Sequence, residues 1–116
     1  MINPNLYYYS INLIRVIDGD TIVADINLGF ELTLSSQSIR LLGINTPEIR
    51  GSQKEEGKIV KQFVTSFLKD KELMIHSFDK DNFGRILADI FYFQDDEWLS
   101  LCDLLISLNM GEPYHL

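Results

Sequence analysis

Three short segments carry side chains able to do chemistry on an anionic ester. In the first, Val16-Ile17-Asp18-Gly19-Asp20-Thr21, two carboxylates flank a glycine at a strand-to-strand turn. Converging carboxylate, carbonyl and water oxygens are what a hard cation such as calcium takes as ligands. The same residues also suit a plain hairpin turn in which Asp18 caps a backbone amide. The second segment runs from Ile39 to Glu48, an apolar strand with one arginine, Arg40, leaving through Asn45-Thr46-Pro47-Glu48. Pro47 biases Thr46 towards an extended shape. The Thr46 carbonyl and the Asn45 amide oxygen are neutral oxygen ligands, and Glu48 suits a general base. A surface loop with Arg40 in an ordinary ion pair is the other meaning of this stretch. The third segment, Asn82-Phe83-Gly84-Arg85, puts an arginine after a glycine turn beside an aromatic. That arrangement fits a phosphate clamp with a stacking neighbour, and equally a hairpin turn with a solvated arginine.

The elements that must position these segments read as strands first. Tyr9 to Ile17 is rich in β-branched and aromatic residues, and Asp18-Gly19-Asp20 signals a turn. Thr21 to Leu28 alternates, with Ile22, Ala24, Ile26 and Leu28 on one face. A reversal at Asn27-Leu28-Gly29 leads into Phe30 to Leu34. Ser35 to Ser38 interrupts pairing as a bulge or short loop, and Ile39 to Ile44 resumes an extended run. A helix is predicted from Ser52, where Ser52 and Glu55 have capping-box spacing. Ile59, Val60, Phe63, Val64, Phe67 and Leu68 form its apolar stripe, with Lys54, Lys58 and Lys61 elsewhere. Gly57 weakens its first turns modestly. Glu72 to Phe78 and Arg85 to Phe93 read as two further strands around a polar loop, Asp79 to Asn82. Trp98 to Leu108 reads as a second helix, stopped by Gly111. This order lacks regular strand–helix alternation, so an α+β fold on a small barrel is expected.

The chain has 116 residues, enough for one core, and residues 1–116 are read as a single domain. Its 46% hydrophobic content, with seven Phe, five Tyr and one Trp, excludes a disordered chain. The lone cysteine, Cys102, rules out an intramolecular disulfide and falls in an apolar helical pattern, where a buried inert thiol is expected. Met1 to Asn5 reads as an ordinary short tail. No basic segment leads into a long apolar run, so neither a signal peptide nor a membrane span is expected, and a cytoplasmic location is favoured. His76 and His115 have no metal-site spacing. The formal net charge of −7 argues against broad electrostatic binding of nucleic acid. Any action on a nucleic acid must rest on a few placed cations and a metal.

Taken together and in this order, Asp-Gly-Asp-Thr, Arg-Leu-Leu-Gly-Ile-Asn-Thr-Pro-Glu and Phe-Gly-Arg resemble the staphylococcal nuclease family, from about Ser10 to Tyr114. Leu28-Gly29-Phe30 and the stretch before Ile39 look like a branch with an extended hairpin. The resemblance implies a five-stranded OB-fold β-barrel of the α+β class and calcium-dependent hydrolysis of DNA and/or RNA, single-stranded or frayed, with cleavage of the P–O5′ bond. It implies Arg40 and Arg85 as phosphate arginines and Glu48 as the general base. It implies Asp20 as a metal-binding carboxylate, with Asn45 and Thr46 completing the protein's oxygen ligands and Asp18 close by. Phe83, where the family often has tyrosine, Leu87 and Tyr114 would border the nucleotide. Two departures stand out. Asn45 replaces a second metal-binding aspartate, and the family's usual final helix is not evident after Asn109, which leaves two helices and surface that a homodimer would cover. A nuclease-like module that binds nucleic acid or a protein partner without turnover is the competing expectation.

Overall fold

The computed structural model describes residues 6–114, so the opening Met1 to Asn5 and His115 lie outside the described residues. Strand β1 (Tyr8–Asp18) turns at Gly19-Asp20 into β2 (Thr21–Gly29), which turns back into β3 (Leu32–Leu41). After the two-residue β4 (Ile44–Asn45) come a 3₁₀ turn (Gly51–Gln53) and helix α1 (Lys54–Leu68). The chain continues through β5 (Leu73–Lys80), β6 (Ile86–Gln94), β7 (Glu97–Ser100), α2 (Leu101–Ser107) and β8 (Glu112–Pro113).

Strand β1 pairs antiparallel with both β2 and β5, and β5 pairs with β6. A short parallel ladder, Ile39↔Ile86 to Leu41↔Ala88, joins β3 to β6 and closes a five-stranded barrel. Its order, with α1 between the third and fourth barrel strands, is that of an OB fold. Inward side chains fill the interior: Ile22, Ala24, Ile26, Ile39, Leu41, Ile75, Ala88 and Ile90 are all buried. Val60, Val64 and Leu68 cap the barrel from α1, and Leu101 and Leu105 pack from α2.

The interruption at Ser35 to Ser38 is a β-bulge within a continuous β3. Pairing moves from Ala24↔Gln37 to Ile26↔Leu34, so β3 carries one extra residue. Ser36 absorbs it with a left-handed φ of 53°, and its amide donates to Asp25 Oδ1 at 2.8 Å.

Four expectations need correction. Trp98 and Leu99 are not helical: they pair with Phe93 and Tyr92 in β7, where Trp98 makes an edge contact with Phe93. The helix starts only at Leu101, because Ser100 caps it by accepting from the Asp103 amide at 3.2 Å. The Ser52–Glu55 capping box does not form; Ser52 lies in the 3₁₀ turn and no side chain caps α1. Ile59 is 63% exposed, one position off the buried stripe, and Leu28 is exposed beyond the barrel's end. Finally, α2 stops at Ser107 and Asn109 takes the left-handed turn (φ 59°), so Gly111 is not its stop.

These caps give a paired expectation. Ser100→Ala should cost about 1 kcal/mol of stability, the usual value of an N-cap, whereas Ser52→Ala should leave stability unchanged. Chemical denaturation of both variants checks this; equal losses would put the cap in the wrong place.

Candidate active site

The β1–β2 turn sets Asp18 and Asp20 at one rim of the barrel. Asp18 Oδ1 accepts from the Asp20 amide at 3.1 Å, so the plain turn-capping role is real. Asp20 reaches further. Its Oδ2 accepts from the amide and the hydroxyl of Thr46, at 3.0 and 3.1 Å, and its Oδ1 accepts from the Thr21 hydroxyl at 3.2 Å. The turn is thereby tied to a loop 26 residues downstream. Burial, then hydrogen bonding to and repulsion by Asp20, push the Asp18 carboxyl up to about 6.

Arg40 leaves the closing ladder beside Asp20, with its Nη2 3.5 Å from Asp20 Oδ2. The side chain is buried, and the chain wraps around its guanidinium. Nη1 donates to the carbonyls of Leu41 and, at 3.0 Å, of Ile44, while Nη2 donates to Asn45 Oδ1 at 2.6 Å. Such a fork ties the end of β3 to β4 through their carbonyls, Ile44 facing Pro113, which has no amide hydrogen to offer. Tyr114 sits beside it, ring centroid 5.6 Å from the guanidinium carbon, because β4 pairs with β8 and the Tyr114 amide donates to the Gly43 carbonyl.

Arg85 is held by a residue that the motif reading passed over. Asp81 Oδ1 accepts from the amides of Phe83 and Arg85, each at 2.9 Å, and its Oδ2 accepts from Arg85 Nε at 2.7 Å. One carboxylate thus shapes the β5–β6 turn and aims the arginine. Desolvation pushes the Asp81 carboxyl up, but the Arg85 amide and guanidinium and the Phe83 amide outweigh it and leave it below the usual carboxylate range. Among the described residues nothing takes the Nη groups of Arg85, so the outer fork is open. The aspartate that begins a turn ending in Gly-Arg is the sequence signal for this Asx arrangement.

Glu48 is exposed on the loop between β4 and α1, its amide 3.4 Å from Gln53 Oε1. Gly57 on α1 decides where that loop lies. A Cβ there would stand 2.0 Å from the Glu48 carbonyl oxygen, so only glycine lets helix and loop backbones touch. Gly19 does the same on the other side, where a Cβ would meet Val60 at 2.5 Å and the Thr46 hydroxyl at 2.8 Å.

A cavity of about 440 Å³ results, lined by Asp18, Asp20, Arg40, Asn45, Thr46, Glu48, Gln53 and Arg85. All three expected catalytic side chains and all three expected metal ligands face it. Phe83, Leu87 and Tyr114 do not line it; each lies beside an arginine that does, Tyr114 and Leu87 by Arg40 and Phe83 by Arg85. Phe83 is 84% exposed with its ring centroid 5.8 Å from the Arg85 guanidinium carbon, and Leu87 is the register partner of Arg40. Gln53 was missed, having no motif to mark it.

A family model for staphylococcal nuclease homologues matches residues 38–105, more than half of the chain. The chain belongs to the staphylococcal nuclease family. The match takes in the strand arginine, the Asn-Thr-Pro-Glu loop and the Phe-Gly-Arg turn. The Asp-Gly-Asp-Thr segment of this family member lies before it and joins the others through geometry. No curated protein matches the chain.

The family's calcium can be tested against the donor set here. The lining residues that carry ligand oxygens are Asp18, Asp20, Asn45, Thr46, Glu48 and Gln53, with no His or Cys among them. Among the described residues no three His, Cys, Asp or Glu side chains cluster closely enough to hold a metal ion, so amide, backbone and water oxygens would have to complete any ligand set. Three carboxylates, Asp18, Asp20 and Glu48, share the cavity with two guanidiniums, so its lining carries no excess of positive charge. A hard divalent cation held on oxygen ligands fits both facts.

The seating of the loop supplies an expectation. Alanine for glycine within a helix normally adds about 1 kcal/mol; here the forced overlap should instead cost about 1–3 kcal/mol. Gly57→Ala should therefore melt lower than the parent chain. A variant melting at or above the parent would show that Glu48 does not rest on this helix.

Proposed function

We propose that this chain is a calcium-dependent endonuclease that hydrolyses phosphodiester bonds of DNA and/or RNA. The observation that carries the reading is one cavity collecting Glu48, Arg40, Arg85 and Asp20 from four separate segments. Arg85 offers its open fork to two oxygens of the target phosphate. Arg40 is more committed, with both Nη groups on its own loop and on Asn45, so its contribution is the nearby positive charge and its Nε–H. Glu48, exposed at the rim, takes a proton from the attacking water. Asp20, the Asn45 amide oxygen and the Thr46 carbonyl would hold calcium. Bound there, the ion adds positive charge where negative charge grows on the phosphoryl oxygens. Phe83 and Tyr114, one beside each arginine, supply rings on which bases of a single or frayed strand stack.

The second reading is a module of the same fold that holds nucleic acid or a protein partner without turnover. Asn45 favours it, because an amide in place of a carboxylate weakens a calcium site, and so does the net charge of −7. Release of acid-soluble nucleotides from heat-denatured DNA, with calcium and then with chelator, separates the two. The enzyme reading expects activity with calcium alone, and losses of about 10²–10⁴-fold in Glu48→Gln, the range of general-base catalysis. Arg85→Ala should be nearly inactive too. A chain inert with every divalent metal but still retaining single strands would establish the module instead.

Asn45→Asp tests the ion's position separately. The added carboxylate should tighten calcium binding in titration calorimetry. Unchanged or weaker binding would place Asn45 away from the metal.

A further inference from the structure

Strands β2 and β3 extend past the barrel as a hairpin whose tip is hard to explain in water. Phe30 is 96% exposed, and Phe30 and Glu31 both take left-handed backbone (φ 55° and 66°), which L-residues adopt reluctantly. Among the described residues nothing comes within 4 Å of where a Cβ on neighbouring Gly29 would stand, so the tip projects away from them. At the hairpin's base the barrel end opens as an apolar cavity of about 420 Å³. Leu28, Leu34, Tyr7 and Phe78 line it, each still roughly two-fifths exposed, with Lys80 at its edge. An apolar cavity of about 150 Å³ already admits a benzene ring, so this one has room for a phenylalanine.

We propose that a second copy of this chain covers this face, with Phe30 of each copy entering the barrel mouth of the other. Knob and hole adjoin on one surface, so a two-fold axis satisfies both at once and closes the assembly at a dimer. Phe30 and Leu32, 96% and 59% exposed, with Leu28, Leu34, Tyr7 and Phe78 partly so, give the copy an apolar surface to cover. Charge also selects a copy. Glu31 travels with Phe30 and would meet Lys80 of the second copy. The other charged lining residue, Asp79, turns its Oδ1 to the Lys80 amide. A phosphate-bearing partner, whether lipid or nucleic acid, would be repelled by Glu31, which the second copy instead sets against Lys80. None of these residues lines the candidate active site, so the dimer and the nuclease reading stand or fall separately.

Sedimentation equilibrium over a concentration series tests the proposal. The chain should dimerise, and Phe30→Ser should raise the dissociation constant by at least about 100-fold, since two phenylalanines per dimer lose their burial at roughly tenfold each. Because Phe30 is almost fully exposed in the single chain, the variant should keep the parent's melting temperature at concentrations where the parent is monomeric and lose only the stabilisation that dimerisation adds above them. Lys80→Glu should weaken the dimer and Glu31→Lys in the same chain should restore it. A parent chain that stays monomeric overturns the proposal, as does a Phe30→Ser chain that dimerises like the parent or a charge swap that fails to restore. So does a monomer that co-sediments with phosphatidylcholine vesicles through Phe30, which would make this a membrane-facing surface.

Discussion

The carboxylate of Asp20 is the joint on which the site depends. It is buried at the barrel rim and receives the Thr46 amide and hydroxyl, with the Arg40 guanidinium alongside. Each of these groups would be costly to bury alone. Together they satisfy one another, and in doing so they lock the β1–β2 turn, the end of β3 and the Asn45–Glu48 loop into one arrangement. The chemistry proposed for Asp20 and the architecture around it therefore use the same atoms.

Arg40 shows this economy most clearly. Its fork supplies donors to the carbonyls of Leu41 and Ile44 and to the Asn45 side chain, so the loop that presents Thr46 and Glu48 is built around an ionised group. Arg85 is handled differently: Asp81 takes only its Nε edge, leaving the outer nitrogens free. One guanidinium is structural glue beside the cavity and the other is a free hand, a distinction that residue type alone does not carry.

Much of the fold was legible because hydrophobic period is a local signal. The strands at Tyr9 to Ile17 and Thr21 to Leu28 and the Val60–Val64–Leu68 stripe appear where their alternation places them, within one or two residues. The family match and the barrel agree with the motif order. What failed was decided by contacts distant in sequence. Trp98 and Leu99 suit a helix until the β6 hairpin claims them. Ser52 has the spacing of a cap, but Gly51 and the close approach of Glu48 to Gly57 pull the preceding chain into a 3₁₀ turn. Gly57 looked like a weak helix residue because the backbone it accommodates lies nine positions earlier and across a loop. The candidate site residues were readable as types; that they share one cavity was not readable without the barrel.

The parallel β3–β6 ladder has a further consequence. Its residues, Ile39 to Leu41 and Ile86 to Ala88, pair across α1 and β5, and such non-local pairing is slow to form because the loop between must be closed first. Arg40 and Leu87 lie opposite each other within that ladder. The wall of the cavity that carries Arg40 therefore comes into being only when the ring shuts. During synthesis the cavity would be absent until β6 has emerged and docked against β3.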